Sequence, residues 1–593
     1  MRSTFFGLNI GYSGLAAQQR ALDVTSHNIA NANTQGYTRQ DVIMEPGIPL
    51  KVLQGYVGTG VEITEFRRIR DQFLDIQLRT ENRTLGEWET KTDILGKLEV
   101  ILNEPSESSL RSVMDSYWEK WQLVAKNPES VATRDSIMQS GITLADTFNH
   151  MARQFVDLQA DINNGVAIKV DEINTLGRQI RDLNVQIIKA EADGSKANDL
   201  RDRRDLLVEQ LSKITEINVT EDELGAIDVF MGGRYIVARA IHTEIRFVEN
   251  EHDATKSEIT WVDSVTGDSI GVVNVKGGQL KGYIDMRDQT VPRLQQEINE
   301  LARRLATEVN LIHRQGYATD GSTDRDFFVK IDENLPFSAA NIQVNPDIIQ
   351  DSGLIAAAGA PTAYDGDGDN ALLLAQLRHK TTMTMGSLEP KATVRGSTLS
   401  GTIDITADTN QLNLTLNGIT KTIFLTEATY DADDATSLDA LRADLQNQID
   451  AAFNADLGPG AITVTIAGAV GAYQLVITNN TSDAQAGIYD ITGPAAEGLG
   501  IADNYRATFD DFFRSSVAKL GVSAMEAERM LENQNLLTAQ LINKREAISG
   551  VSLDEEMVNM IKFQHAYTAA ARVITAMDEM LDLIVNRLGL AGR

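Results

Sequence analysis

SGVSLDEEMVNMIKFQHAYTAAARVITAMDEMLDLIVN, residues 549–586, reads as one helix with a single apolar seam. Met560, Phe563, Tyr567, Ala570, Ile574, Met577, Leu581, Ile584 and Leu588 alternate at three- and four-residue spacing, and over four heptads no polar residue interrupts that face. Such a stripe needs a helical partner. A similar pattern opens the chain: Leu8, Leu15, Leu22 and Ile29 recur every seven residues, and Ala16, Ala17, Ala21 and Ala30 between them permit close approach of a second helix. Ordinary coiled-coil dimerisation would satisfy either seam alone. Two seams at opposite ends of one chain favour an assembly subunit, its ends packed together and then against neighbours.

Outward from these ends, proline sets the punctuation, because it removes a helix donor and clashes with the preceding turn. None occurs in 1–45, 129–291 or 495–593, so each tract is free to hold long helices. In the middle tract Phe148, Met151, Phe155, Leu158, Ile162, Val166, Ile173, Leu176, Ile180, Leu183 and Ile187 keep helical spacing, which predicts one long helix or a pair broken near Asn163-Asn164-Gly165. Leu74, Leu78, Leu85, Trp88, Leu95, Leu98 and Leu102 predict a further helix over about 68–102, ending before Pro105. Strand-like runs at 227–230, 235–238 and 259–262, divided by glycine pairs, predict a small sheet within 217–284. From 391 to 506 the composition turns to Thr, Asp, Ala and Gly, with alternating runs at 402–406, 412–416, 462–466 and 474–478 around one helix at about 437–453. That stretch reads as a self-contained α+β insertion.

Composition narrows the function classes. With 84 Asp and Glu against 54 Lys and Arg among 593 residues, the net charge of −30 repels phosphate backbones and anionic membranes. The acid is concentrated in 340–510, with 21 acidic and 7 basic groups, whereas 1–70 carries 7 basic and 5 acidic groups. The middle is thus a solvated surface and the ends are contact regions. There is no cysteine, hence no disulfide framework or thiolate metal site. The first twenty residues lack the unbroken apolar core of a cleaved signal, and no stretch approaches a membrane span.

Motifs that would carry chemistry fail on their details. Asp365, Asp367 and Asp369 imitate a calcium loop, but Asn370 stands where the turn needs glycine and Gln376 cannot supply the bidentate carboxylate. The seven histidines are scattered without an HExxH pair, and His27 and His565 read as packing residues in the seams. Gly55, Gly58 and Gly60 lack a phosphate-binding spacing and read as turn glycines. Glu555-Glu556 and the pair Asp202 and Asp205 sit among other charges, which reads as helix surface. No catalytic, metal or cofactor site is expected.

The stretch SGLAAQQRALDVTSHNIANANTQGYTRQ, 13–40, resembles the amino-terminal segment shared by the flagellar axial family of rod and hook proteins. Its most specific part is Asn28, Ile29, Ala30, Asn31, Asn33, Thr34, Gly36 and Tyr37 within NIANANTQGY. The carboxyl segment quoted at the outset resembles the terminal helix of the hook-associated branch. NDLRDRRDLLVEQLS (198–212), GGQLKGYIDMRD (277–288) and VNLIHRQGYATDGSTDRDFF (309–328) favour that branch over hook or distal rod proteins, which are the alternative. Gln564-His565 departs from the paired glutamines of many relatives. The 391–506 stretch resembles, more weakly, surface modules of flagellins and capping proteins.

The resemblance implies a non-enzymatic structural subunit of the hook-filament junction. It also implies export without a cleaved signal through the flagellar type III apparatus, assembly outside the cell as a ring of about eleven copies, and three partners: hook protein, a second junction protein and an export chaperone. The expected fold is multidomain α+β: terminal coiled-coil helices, a long-helix bundle, a β-rich outer domain and a separate α+β insert. The expected divisions are 1–50 with 550–593 as the axial core, 51–200 with 285–315 and 507–549 as the helical body, 201–284 with 316–390 as the outer domain, and 391–506 as the module. The terminal seams are expected to become ordered only on the growing structure.

Overall fold

The computed structural model describes residues 6–583 apart from 53–54, 103–108, 250–256, 264, 362–365, 385–392, 397, 400, 408, 417–418, 458, 469–472, 481–487, 493–494, 497–498, 500 and 502–505. Ile584, Leu588 and Asp365 therefore lie outside the described residues. The chain forms two compact units, Met1–Ile101 with Gln154–Arg293 and Leu520–Arg593, and Leu102–Arg153 with Leu294–Lys519. The four boundaries between these units fall inside the helices Gln72–Leu102, Val131–Ala190, Val291–His313 and Phe509–Ser549. Residues 201–284 belong to the first unit and 316–390 to the second.

In the first unit the proline-free ends form the helices Phe6–Ala30 and Leu553–Asp582. The second is started by Ser552, whose hydroxyl accepts from the Glu555 N–H, followed by three acidic residues that favour a helix amino terminus. Between the ends come an antiparallel pair of strands, Gln40–Pro46 with Val61–Arg68, and the helices Gln72–Leu102 and Asn198–Ile214. A four-stranded antiparallel meander over 218–242 and a three-stranded sheet over 245–272 follow. Val166, Val170, Ile173, Leu176 and Ile180 of the long helix pack with Val208, Leu211 and Ile214 and with Val229, Ile236, Val237 and Trp261 of the sheets.

No break occurs at Asn163-Asn164-Gly165: Val131–Ala190 is one helix of 60 residues. A Cβ at Gly165 would lie 2.7 Å from the Tyr283 ring, so this glycine serves a close approach rather than a turn. A π-helical turn does occur, at Met286–Thr290, where Pro292 removes an N–H from the ladder that joins Gly278–Asp285 to Val291–His313.

The second unit has an aromatic centre. Tyr117 and Trp121 of the helix Leu110–Lys126 meet Phe327, Phe328 and His313, with ring centroids 5.4–6.4 Å apart across the helix contacts. His313 is fully buried and both ring nitrogens are used: Nδ1 lies 2.7 Å from the Arg325 carbonyl and Nε2 accepts from the Ala356 N–H at 2.9 Å. From about 393 onward a second core forms around the helix Ala435–Leu457, whose Leu438, Leu441, Leu445, Ile449 and Phe453 are covered by strands of three small sheets. Every buried member of this core lies between Val394 and Ile501. Met383–Thr384 pairs antiparallel with Arg506–Ala507, which brings the entry and exit of the insertion side by side.

Candidate assembly surface

The terminal helices pack antiparallel through a row of small residues. A Cβ built at Gly7 would come 2.5 Å from Met577 Cε, at Gly11 3.0 Å from Ile574 Cγ1, and at Gly14 4.0 Å from Ala570 Cβ. Continuing the row, Ala21, Thr25 and Asn28 are buried. Leu8, Leu15, Leu22 and Ile29 each stand one residue further round, about 100° from this contact line, and are half-buried. On the opposing helix Met560, Phe563, Tyr567, Ile574, Met577 and Leu581 are also half-buried, so the seam is covered on one side only.

A second stripe of the same helix is open. Val558, Ile561, His565, Ala569, Val573, Ala576, Met580 and Leu583 recur every three or four residues and all are exposed, Val558 by 64% and Ile561 by 55%. This includes His565, which was expected to be a seam residue. Continuous apolar exposure on this scale marks a surface that is covered by something else.

At the base of the pair lies a polar node. The NIANANTQGY turn starts where the amino-terminal helix ends: Thr34 bonds Asn31 through both N–H and hydroxyl, and Gly36 takes φ +78° against Leu206, a backbone region that favours glycine. Asn28 makes all four hydrogen bonds open to an amide. Its Oδ1 accepts from Tyr37 Oη at 2.7 Å and the Gln40 N–H at 3.0 Å, and its Nδ2 donates to the Gln40 carbonyl at 2.9 Å and to Glu556 Oε2 at 3.0 Å. Arg39 donates to Glu556 Oε1 and Glu555 Oε2, each at 2.8 Å, and its N–H to the Ser549 carbonyl at 2.9 Å. Ile29 is half-buried, while Ala30, Asn33 and Thr34 face outward.

The node extends into the helix Asn198–Ile214. Asp202 accepts from the Thr38 N–H at 2.8 Å and from Arg68 at 2.7 Å, and Asp205 accepts from Arg68 at 2.8 Å and from Arg70. Burial pushes the Asp202 carboxyl up, more than Arg68 can offset. Asp205 is also raised by burial, but Arg70, Arg68 and Arg204 together hold it below its ordinary value. Burial, aided by Asp199, Asp202 and Glu556, raises the Tyr37 phenol and keeps it a hydrogen-bond donor. Glu556 is 1% exposed and Asp202 5%, so the reading of these acids as helix-surface charges is corrected: each is buried against a cation or an amide. Their partners lie far away in the chain and no local spacing announces them; Arg39 and Arg68 were likewise missed. Buried carboxylates committed in this way form a joint. Among the described residues no cluster of His, Asp and Glu could hold a metal ion, and no helix is long and apolar enough to cross a membrane.

Residues 95–328 match the family described as flagellar hook-associated protein FlgK helical domain. Over the full length of both chains the sequence is 28% identical to flagellar hook-associated protein 1 of Bacillus subtilis. Its likeness is thus to the flagellar hook-associated protein 1 family. Its likeness to the family's Salmonella typhimurium member is 26%, over 98% of this chain and 99% of that one. A solved structure, the flagellar hook junction protein FlgK from Burkholderia pseudomallei, shares the fold with a TM-score of 0.50 over 80% of this chain and all of its own, at 16% identity. The two ends of the chain also match wider axial groups: residues 8–38 match flagella basal body rod protein and 545–588 match flagellar basal body rod FlgEFG protein C-terminal. Those two segments are the two halves of the helix pair and its node. The insertion closed by Met383–Thr384 and Arg506–Ala507 lies outside all three matched stretches.

Proposed function

We propose that this chain is a structural subunit of the bacterial flagellum at the hook-filament junction, where it adapts the flexible hook to the stiffer filament and allows the filament to grow. The observation that carries this reading is the terminal helix pair, covered on one side and presenting an apolar stripe on the other, in a chain that matches hook-associated protein 1 from end to end. Leu8, Leu15, Leu22 and Ile29 on one helix, and Met560, Phe563, Tyr567, Ile574, Met577 and Leu581 on the other, would complete their burial against neighbouring copies. The resemblance to the axial family implies a ring of about eleven copies, a closed cyclic arrangement on the axial lattice. Hook protein on one side, a second junction protein on the other and a chaperone before export are the partners. The subunit leaves the cell through the flagellar type III apparatus, acts on the extracellular flagellum and performs no catalysis.

The insertion of 391–506 decorates the outside, since its core is its own and its surface is acidic. Electron microscopy of detached hooks carrying a labelled copy tests the placement. Label confined to the distal end of the hook is expected; label along the hook or in the rod would move the chain to another axial component.

A further inference from the structure

The helix pair has a repeating seam and one contact that does not repeat. Gly7, Gly14 and Ala21 are spaced by seven residues, as are Phe563, Ala570 and Met577 opposite them. In the observed register Gly7 meets Met577, Gly14 meets Ala570 and Asn28 meets Glu556. Sliding the carboxyl-terminal helix by one heptad would set Gly7 against Ala570 and Gly14 against Phe563, which are still small residues against apolar ones. Glu556 would then lie beside Ala21 and Asn28 beside Ser549. A slide in the other direction sets Gly14 against Met577 and Ala21 against Ala570, but puts Asn28 against Phe563. The apolar seam therefore tolerates either slide and the polar pair tolerates neither, because a buried carboxylate would lose its partners.

We propose that Asn28 and Glu556 are positioning residues that set the register of the terminal helix pair. The four bonds of Asn28 prevent it from turning its amide over: its oxygen is held by Tyr37 and the Gln40 N–H, so its Nδ2 must face Glu556. Arg39 neutralises the carboxylate and bonds Glu555 and the Ser549 carbonyl at the same end of the pair. Register in turn decides where the open stripe of Val558, Ile561, Val573 and Met580 stands relative to the amino-terminal helix, and so what a neighbour would meet.

The chain has no cysteine, so introduced pairs report register directly. Gly14→Cys with Ala570→Cys has the Cβ separation a disulfide needs, 4.0 Å. Gly7→Cys with Ala570→Cys is one heptad out of register, about 10 Å along the helix, and can close only after a slide. Oxidation of the purified full chain is read as the cross-linked fraction at monomer mass. With native Asn28 and Glu556 the first pair is expected to close and the second to stay open. Glu556→Gln, which keeps the shape, and Asn28→Asp, which removes both donors, should each raise the second pair at least tenfold at the expense of the first. Thr25→Ala, which loosens the same buried row but removes only a hydroxyl bonded to the Ala21 carbonyl of its own helix, should leave the native pattern, which separates register from general loosening. If both Glu556→Gln and Asn28→Asp leave the first pair dominant and the second unreacted, or if Thr25→Ala shifts the pattern as far as they do, the assignment is overturned. The measurement uses no flagellum, so its failure is distinct from failure of the junction reading.

Discussion

The helix Ala435–Leu457 of the insertion and the carboxyl-terminal helix Leu553–Asp582 are both long and both apolar along one face, yet they are buried very differently. Leu438, Leu441, Leu445 and Ile449 are wholly inaccessible, enclosed by strands from the same insertion. In Leu553–Asp582 the one buried residue is Glu556, while the apolar seam is half-covered and a second apolar stripe is open. The first helix closes its core within about a hundred residues of its own chain; the second has one neighbour where a closed core needs several. A helix of the first kind stabilises its own folded chain, and one of the second kind leaves apolar surface for a partner to cover.

The most severe test of this comparison is Leu441→Ala. Removing a wholly buried leucine side chain is expected to cost about 2–5 kcal/mol and to lower the insertion's melting transition in calorimetry. An unchanged transition would mean that the core is not closed.

A comparable effect is expected from acid on the second unit's aromatic centre. Burial pushes the His313 imidazole down to about 4 from its ordinary 6.5, so the folded state holds it neutral while the unfolded chain binds a proton. Stability from this group is complete above about pH 6.5 and is lost as pH falls toward 4, by about 3 kcal/mol in all. Denaturation followed by tryptophan fluorescence across that range should show the loss, and His313→Gln should flatten it.

Ile574→Asp sharpens the other side of the contrast. At a half-covered site in the free chain it should lower stability by no more than about 1 kcal/mol, while preventing incorporation and leaving cells with hooks but few filaments. A large loss of stability in the monomer would show that the pair is a closed core after all. Hydrogen exchange on the same monomer gives a second measure: fast exchange over 553–582 is expected beside slow exchange over 435–457.

The smallest effect belongs to the deletion of 385–505. Because Met383–Thr384 and Arg506–Ala507 are already paired, a short glycine linker between them should leave the melting of the remaining chain and the attachment of filaments unchanged. Loss of junction assembly with a stable, secreted protein would make the insertion part of the lattice.

Much of the fold was legible because its signals are local. Apolar spacing located the helices Gln72–Leu102 and Ala435–Leu457 to within a few residues, and alternation found the strands Ile227–Met231 and Ile462–Ala467. The glycines at 7, 11 and 14 were passed over because side-chain size dominates a periodicity reading, whereas a close helix contact selects for its absence. Gly165 left one long helix and a broken pair equally open, since a glycine in a helix signals a break as readily as a neighbour's ring.

By itself the sequence determined the apolar spacing at both ends, the long proline-free helices, the change of composition over the insertion and the likeness to one branch of the axial family, all of which rest on spacing or on contiguous motifs. Tertiary structure alone decided which row of the amino-terminal helix faces its partner and which acids are buried. Asn28 and Glu556 are 528 positions apart, and each looks like an ordinary polar residue on its own helix. The free energy of a buried amide or carboxylate depends on the groups brought beside it, and only folding brings them there.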